Sequence, residues 1–151
     1  MTATDILLMK KILLAGVIAA CSASAYAVPD TWSMGTAQGF TEYSISNGAG
    51  NAVIIACNEG AGEGYDNSVS VYSNDQSLDG DISFLIDDEA YYIPENTTTR
   101  SGANAWVSFT SAITRASEFE VYVNNKPAGK FKPRAKNSQK IFSDFECAPV
   151  E

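Results

Sequence analysis

The chain of 151 residues carries 18 Asp or Glu against 10 Lys or Arg, a net charge of −8, and no histidine. Without an imidazole it cannot run Ser-His-Asp or Cys-His catalysis, and it lacks the commonest transition-metal ligand. Its acidity disfavours nucleic acid and anionic membrane surfaces as partners; a cationic protein partner and plain solubility are the two readings that remain.

Met9 is followed at once by Lys10 and Lys11, the charged region of a secretory leader. Ile12 to Ala20 is an apolar run, and Ala25-Tyr26-Ala27 is the small-x-small pattern that a signal peptidase accepts. Residues 1–27 are therefore predicted to be a signal peptide, starting at Met9 and cleaved after Ala27. The run falls short of the roughly 18 to 20 apolar residues that cross a bilayer, so no membrane span is expected. Ile18-Ala19-Ala20-Cys21 also fits a lipoprotein processing box, which keeps a lipid anchor through Cys21 as the alternative. The expected location is the periplasm or the medium, or the outer membrane if Cys21 is lipidated.

Val28 to Glu151 is long enough for one β-rich domain and too short for two. Its charge is lopsided. Val28 to Thr99 holds 12 carboxylates and no Lys or Arg, whereas Arg100 to Glu151 holds 5 acidic and 8 basic residues, giving −12 and +3.

Phe40 to Ser46 alternates weakly, with Tyr43 and Ile45 on one face, and the residues Asn47 to Gly50 tolerate positive φ, so they should turn the chain into its neighbour. That neighbour, Asn51 to Cys57, runs Ala52 to Ala56 unbroken into a cysteine and is predicted to be a short strand buried on both faces. Asn58 to Asn67 contains Gly60, Gly62 and Gly64. A phosphate cradle would need a helix N-terminus behind it, and a strand pattern at Ser68 to Tyr72 follows instead, so this is predicted to be a flexible loop. Asp81 to Asp87 places Ile82, Phe84 and Ile86 on one face; Asp87 to Ala90 forms an acidic tip, and Tyr91 to Ile93 returns until Pro94 stops the strand.

Glu95 to Asn104 is polar and predicted to be a loop, Ala105 to Phe109 a strand carrying Trp106, and Thr110 to Ser117 one or two helical turns capped by Thr110 or Ser111. Glu118 to Val123 alternates cleanly, Asn124-Asn125 is a two-residue turn, and Lys126 to Lys132 returns as an edge strand marked by Pro127 and lysines. The cations from Lys126 to Lys140 lack the interleaved aromatics of a nucleic-acid site. Asn137 to Cys147 should form a helix capped by Asn137 or Ser138, with Ile141, Phe142 and Phe145 on one face. Once the leader is removed, Cys57 and Cys147 are the remaining thiols, and in an exported protein such a pair is predicted to form a disulfide. The fold expected is mainly β, an antiparallel β-sandwich or partly open barrel with a short C-terminal helix and one disulfide.

Trp32, the apolar strand ending in Cys57, the hairpin Ile86 to Pro94, the strand and turn Phe119 to Lys126, and a final helix into Cys147 together resemble small exported bacterial β-proteins. The invasion-associated locus B family and the accessory proteins of type VI secretion are of this kind. The resemblance covers Trp32 to Cys147, transfers no site residue, and implies a β-sandwich-like bacterial envelope protein acting at a cell surface or in an envelope machine.

Carboxylate chemistry has an obvious supply in Asp87, Asp88 and Glu89, but adjacent solvated carboxylates lack the separated pKa values that acid and base roles require. Asp75, Asp79 and Asp81 offer hard oxygen ligands without the spacing of an EF-hand loop. No enzyme activity, metal or cofactor is expected. Steering charge beside amphipathic aromatics suits a binding or inhibitory module for a basic protein, docking on Asp87, Asp88, Glu89, Tyr91 and Tyr92, with Tyr65 and Tyr72 as further aromatic contacts. The alternative is a structural or accessory component of an envelope, secretion or host-interaction assembly. Nothing in the pattern sets the oligomeric state.

Overall fold

Alternation of inward and outward side chains builds two antiparallel sheets in the computed structural model, which describes residues 28–150. The expected start at Met9, cleavage after Ala27 and lipidation at Cys21 lie outside the described residues. The first sheet runs in chain order: β1 (Ser33–Ala37), β2 (Phe40–Ser46), β3 (Asn51–Asn58), β4 (Ser68–Ser73) and the two-residue β5 (Gln76–Ser77). The second is ordered β7-β6-β8-β9, from β6 (Ile82–Ile86), β7 (Glu89–Tyr92), β8 (Phe119–Val123) and β9 (Lys126–Phe131). Helix α1 (Arg100–Ile113) links the second hairpin to β8, and α2 (Ala135–Ile141) precedes the tail. The sheets do not close on each other, so of the two architectures expected the sandwich is the one adopted.

Tyr43 and Ile45 of β2, Val53 and Ile55 of β3 and Val69 and Val71 of β4 face Phe84, Ile86, Phe119, Val121 and Phe131 of the second sheet in one core. The period of two explains why β3 is not buried on both faces as expected. Val53, Ile55 and Cys57 point inward, while Ala52, Ile54 and Ala56 lie half-buried on the outer face, where their small or single apolar side chains need no covering layer. Cys57 and Cys147 are joined, with S–S 2.02 Å and Cα atoms 5.2 Å apart.

The region 95–117 differs most from expectation. Thr99 caps α1 by accepting from the Gly102 N–H at 3.1 Å, and the helix runs through Trp106 and Phe109 to Ile113. The expected loop, strand and late helical turns are therefore one helix; Gly102, Trp106, Phe109, Thr110 and Ile113 fall on one buried stripe at helical spacing. Thr110, expected as a cap, sits inside it and donates to the Val107 carbonyl. Gly102 is required by close approach, because a Cβ there would strike the Asn96 carbonyl oxygen and crowd Thr99 Oγ1. In an open helix Gly→Ala gains about 0.5 to 1 kcal/mol. Here the sign should reverse: Gly102→Ala is expected to lower stability by about 1 to 3 kcal/mol, seen as a fall in Tm. A raised Tm would mean that this approach is not tight.

α2 also departs from its expected boundaries. It begins at Ala135 after buried Pro133, with Arg134 at the cap position and no side-chain cap bond, and it ends at Ile141. Phe142 and Phe145 lie beyond it, yet they pack as anticipated, Phe142 against Trp32 and Tyr43 with centroids 5.1 and 5.3 Å away and Phe145 against Tyr43 at 5.0 Å. Asn137 is not a cap because its carboxamide is committed elsewhere. It accepts from the Trp32 N–H at 2.6 Å and donates to the Trp32 carbonyl at 3.0 Å.

The sheet edges are unequally protected. β9 carries Lys126, Pro127, Lys130 and an irregular register at Val121/Tyr122, which are common defences against strand addition. β5 is two residues long, and β7 is flanked by α1. β1 has none of these: every residue of Ser-Met-Gly-Thr-Ala is exposed, and none is charged. The Gln38-Gly39 turn, with φ of 53° and 85°, sets its register on β2. Pairs then alternate, so Ser33, Gly35 and Ala37 exchange bonds with Ser44, Glu42 and Phe40, while the N–H and C=O of Met34 and Thr36 point away from the sheet.

Candidate protein-binding site

The expected acidic tip is a two-residue turn. Asp87 and Asp88 take φ of 45° and 71°, the left-handed pair that a tight hairpin needs, and Glu89 already belongs to β7. Its carboxylates have different duties. Asp87 accepts from the backbone N–H of Ser117 and of Glu118, both at 3.1 Å, so it ties the turn to the entry of β8. Glu89 accepts from the Tyr91 hydroxyl at 2.9 Å, and this bond is the leading cause that holds the Tyr91 phenol above its usual pKa. Asp88 is exposed.

The two tyrosines do not form one face. Phe84 pairs with Tyr91 and Ser83 with Tyr92, so Tyr91 lies on the α1 side with Glu89, and Tyr92 lies on the opposite face, 59% exposed. Along the open edge of the sheet, between β7 and α1, runs a groove of about 490 Å³ that both tyrosines border despite their opposite faces, with Ser101, Asn104, Ala105 and Ser108 on the helix side. Past Tyr91 and Ser108 it continues into a hollow of about 360 Å³ that reaches Asp87, Glu89 and Arg115. The helix wall was not foreseen from sequence, although the stripe from Gly102 to Ile113 would have located it. Tyr65 and Tyr72 are remote from the groove: Tyr65 packs edge-on against Phe40 at 6.4 Å, and Tyr72 lies on β4 of the other sheet.

A second hollow, of about 770 Å³, lies between the glycine loop and the tail and is bordered by Glu59, Glu63 and Glu146. The loop is more ordered by side chains than its glycines suggest. Asn58 donates to the Gly62 and Tyr65 carbonyls and accepts from the Ala61 N–H, and Asn67 accepts from the Asn58 N–H and donates to the Ala148 carbonyl. Among the described residues no group of three or more His, Cys, Asp or Glu is placed to hold a metal, and no helix is long and apolar enough to cross a membrane.

Fold and site together define a two-sheet β domain with one disulfide and an acidic hairpin beside a helix-walled groove. The chain belongs to the YfjT family, whose model matches residues 30–142. It is 36% identical over 152 residues to the uncharacterized protein YkfB of Escherichia coli strain K12, covering 95% of this chain and 97% of that one. It is also 36% identical over 130 residues to the uncharacterized protein YfjT of the same strain, with 80% and 83% covered. Neither relative carries an enzyme name. No solved structure matches the chain.

Proposed function

We propose that the protein is an exported, non-enzymatic binding module, inhibitory or otherwise, for a basic protein partner received at the β6–β7 hairpin and the groove beside α1. The observation that carries this reading is a groove of about 490 Å³ bordered by Tyr91 and Tyr92 at the edge of the second sheet, which runs into a hollow that Glu89 reaches, next to the turn that carries exposed Asp88. Carboxylates there steer a cation, and an amphipathic ring beside a groove supplies contact area. A disulfide closed within the domain supports an oxidising compartment, periplasmic or extracellular. The second reading, an accessory component of an envelope assembly, is favoured by the unpartnered edge of β1.

Charge and ring should fail differently in a binding experiment. With a basic protein recovered from envelope extract, Asp88→Asn with Glu89→Gln is expected mainly to slow association and flatten its salt dependence, and Tyr92→Ala mainly to speed dissociation. Asp87 is left intact because it holds backbone amides. If neither change alters the kinetics, the hairpin is not the binding face.

A further inference from the structure

We infer that β1 is a self-association edge, on which a second copy of this chain adds its own β1 antiparallel about a two-fold axis at Gly35. The inference is independent of the hairpin reading. At Trp32 the edge is closed, because the Asn137 carboxamide supplies both an acceptor and a donor as a neighbouring strand would. Two and four residues further on, at Met34 and Thr36, the outward N–H and C=O meet no such group among the described residues. The other three edges are shortened, charged or flanked.

A second copy is the occupant that these residues fit. Centring the pair on Gly35 sets Met34 against Thr36 of the other copy, and in antiparallel geometry both positions then exchange N–H and C=O, four bonds in all. At the centre, Gly35 faces Gly35; neither has a side chain, and a Cβ built there meets no atom within 4 Å, so backbones can approach. The two Met34 side chains, each 55% exposed, become diagonal neighbours on one face and cover each other. Charge points the same way. In a chain of net −8, most surfaces would set carboxylate against carboxylate, but Ser33 to Ala37 brings no charge to the axis. One strand pair buries less than a stable dimer of about 1,200 to 2,000 Å² needs, so association is expected at protein concentrations on the order of 0.1 mM.

The test uses protein purified from expression of the full chain, with the unsubstituted protein alongside to control for other thiols. In an antiparallel pair the residues facing each other without hydrogen bonds have Cα atoms about 4.5 Å apart, close enough for a disulfide. Gly35→Cys should therefore form a covalent dimer under mild oxidation, whereas Ser33→Cys, which would face Ala37 of the other copy, should not. Sedimentation equilibrium should show a reversible dimer. Thr36→Pro, which removes an outward N–H and leaves the β1–β2 bonds in place, should weaken it by at least about tenfold with Tm unchanged. A protein that is monomeric at millimolar concentration, cross-linking that is equal at Gly35 and Ser33, or a dimer indifferent to Thr36→Pro would each overturn the inference. So would a monomer whose binding to a basic partner is lost on Thr36→Pro, since the edge would then take a partner's strand.

Discussion

Cys57→Ser is expected to lower the free energy of unfolding by about 2 to 5 kcal/mol, one of the two largest effects anticipated for any single substitution here. The bond spans 90 residues of sequence, and in the chain-entropy account a loop of that length restricts the unfolded chain by about 4 to 5 kcal/mol. Three hydrogen bonds also fix the tail that carries Cys147. Trp106 Nε1 donates to the Cys147 carbonyl at 2.7 Å, Asn67 Nδ2 to the Ala148 carbonyl at 2.7 Å, and the Val150 N–H to Thr97 Oγ1 at 3.2 Å. They would keep the tail docked without the covalent bond, which places the loss mainly in the unfolded state. Urea unfolding should then give Cys57→Ser, Cys147→Ser and the reduced protein nearly the same midpoint, well below the oxidised one. Thiol titration of the unfolded, unreduced protein should find neither Cys57 nor Cys147 free. A difference under about 1 kcal/mol would mean that the tail contacts alone clamp the fold.

What could be read from the sequence follows from what shapes each element. Tyr43 and Ile45, Val69 and Val71, Ile82, Phe84 and Ile86, and Phe119, Val121 and Val123 all face one side of a half-buried strand, and alternation alone places them. β1 left no such mark, because a strand exposed on both faces has no reason to alternate. The helix was obscured by a short window. Ala105 to Phe109 looks like a strand taken alone, while the stripe that makes it helical begins at Gly102 and ends at Ile113, well outside that window. At the site, the acidic hairpin was legible and its division of labour was not. Asp87 binds amides 30 and 31 residues away, which no local pattern encodes. The separation of Tyr91 from Tyr92 was within reach, since neighbours on a strand point to opposite faces.

That helix carries the other large expected effect. Trp106 is 1% exposed, packs on Phe109 with ring centroids 5.7 Å apart, and donates its indole N–H to the carbonyl of Cys147, so one side chain joins α1, the core and the disulfide-bearing tail. Trp106→Ala should cost about 3 to 5 kcal/mol, from lost burial and the cavity left behind. Trp106→Phe keeps most of the apolar contact but leaves the carbonyl of a nearly buried residue without its donor, for about 1 to 3 kcal/mol. The indole and the disulfide hold the same tail, so Trp106→Phe and Cys57→Ser should not add; a coupling of about 1 kcal/mol is expected in the double variant. Urea unfolding of the two single variants and the double measures it. Strict additivity would mean that the indole bond and the disulfide secure the tail independently, and a Trp106→Phe variant as stable as the parent would show that the Cys147 carbonyl finds water in place of the indole.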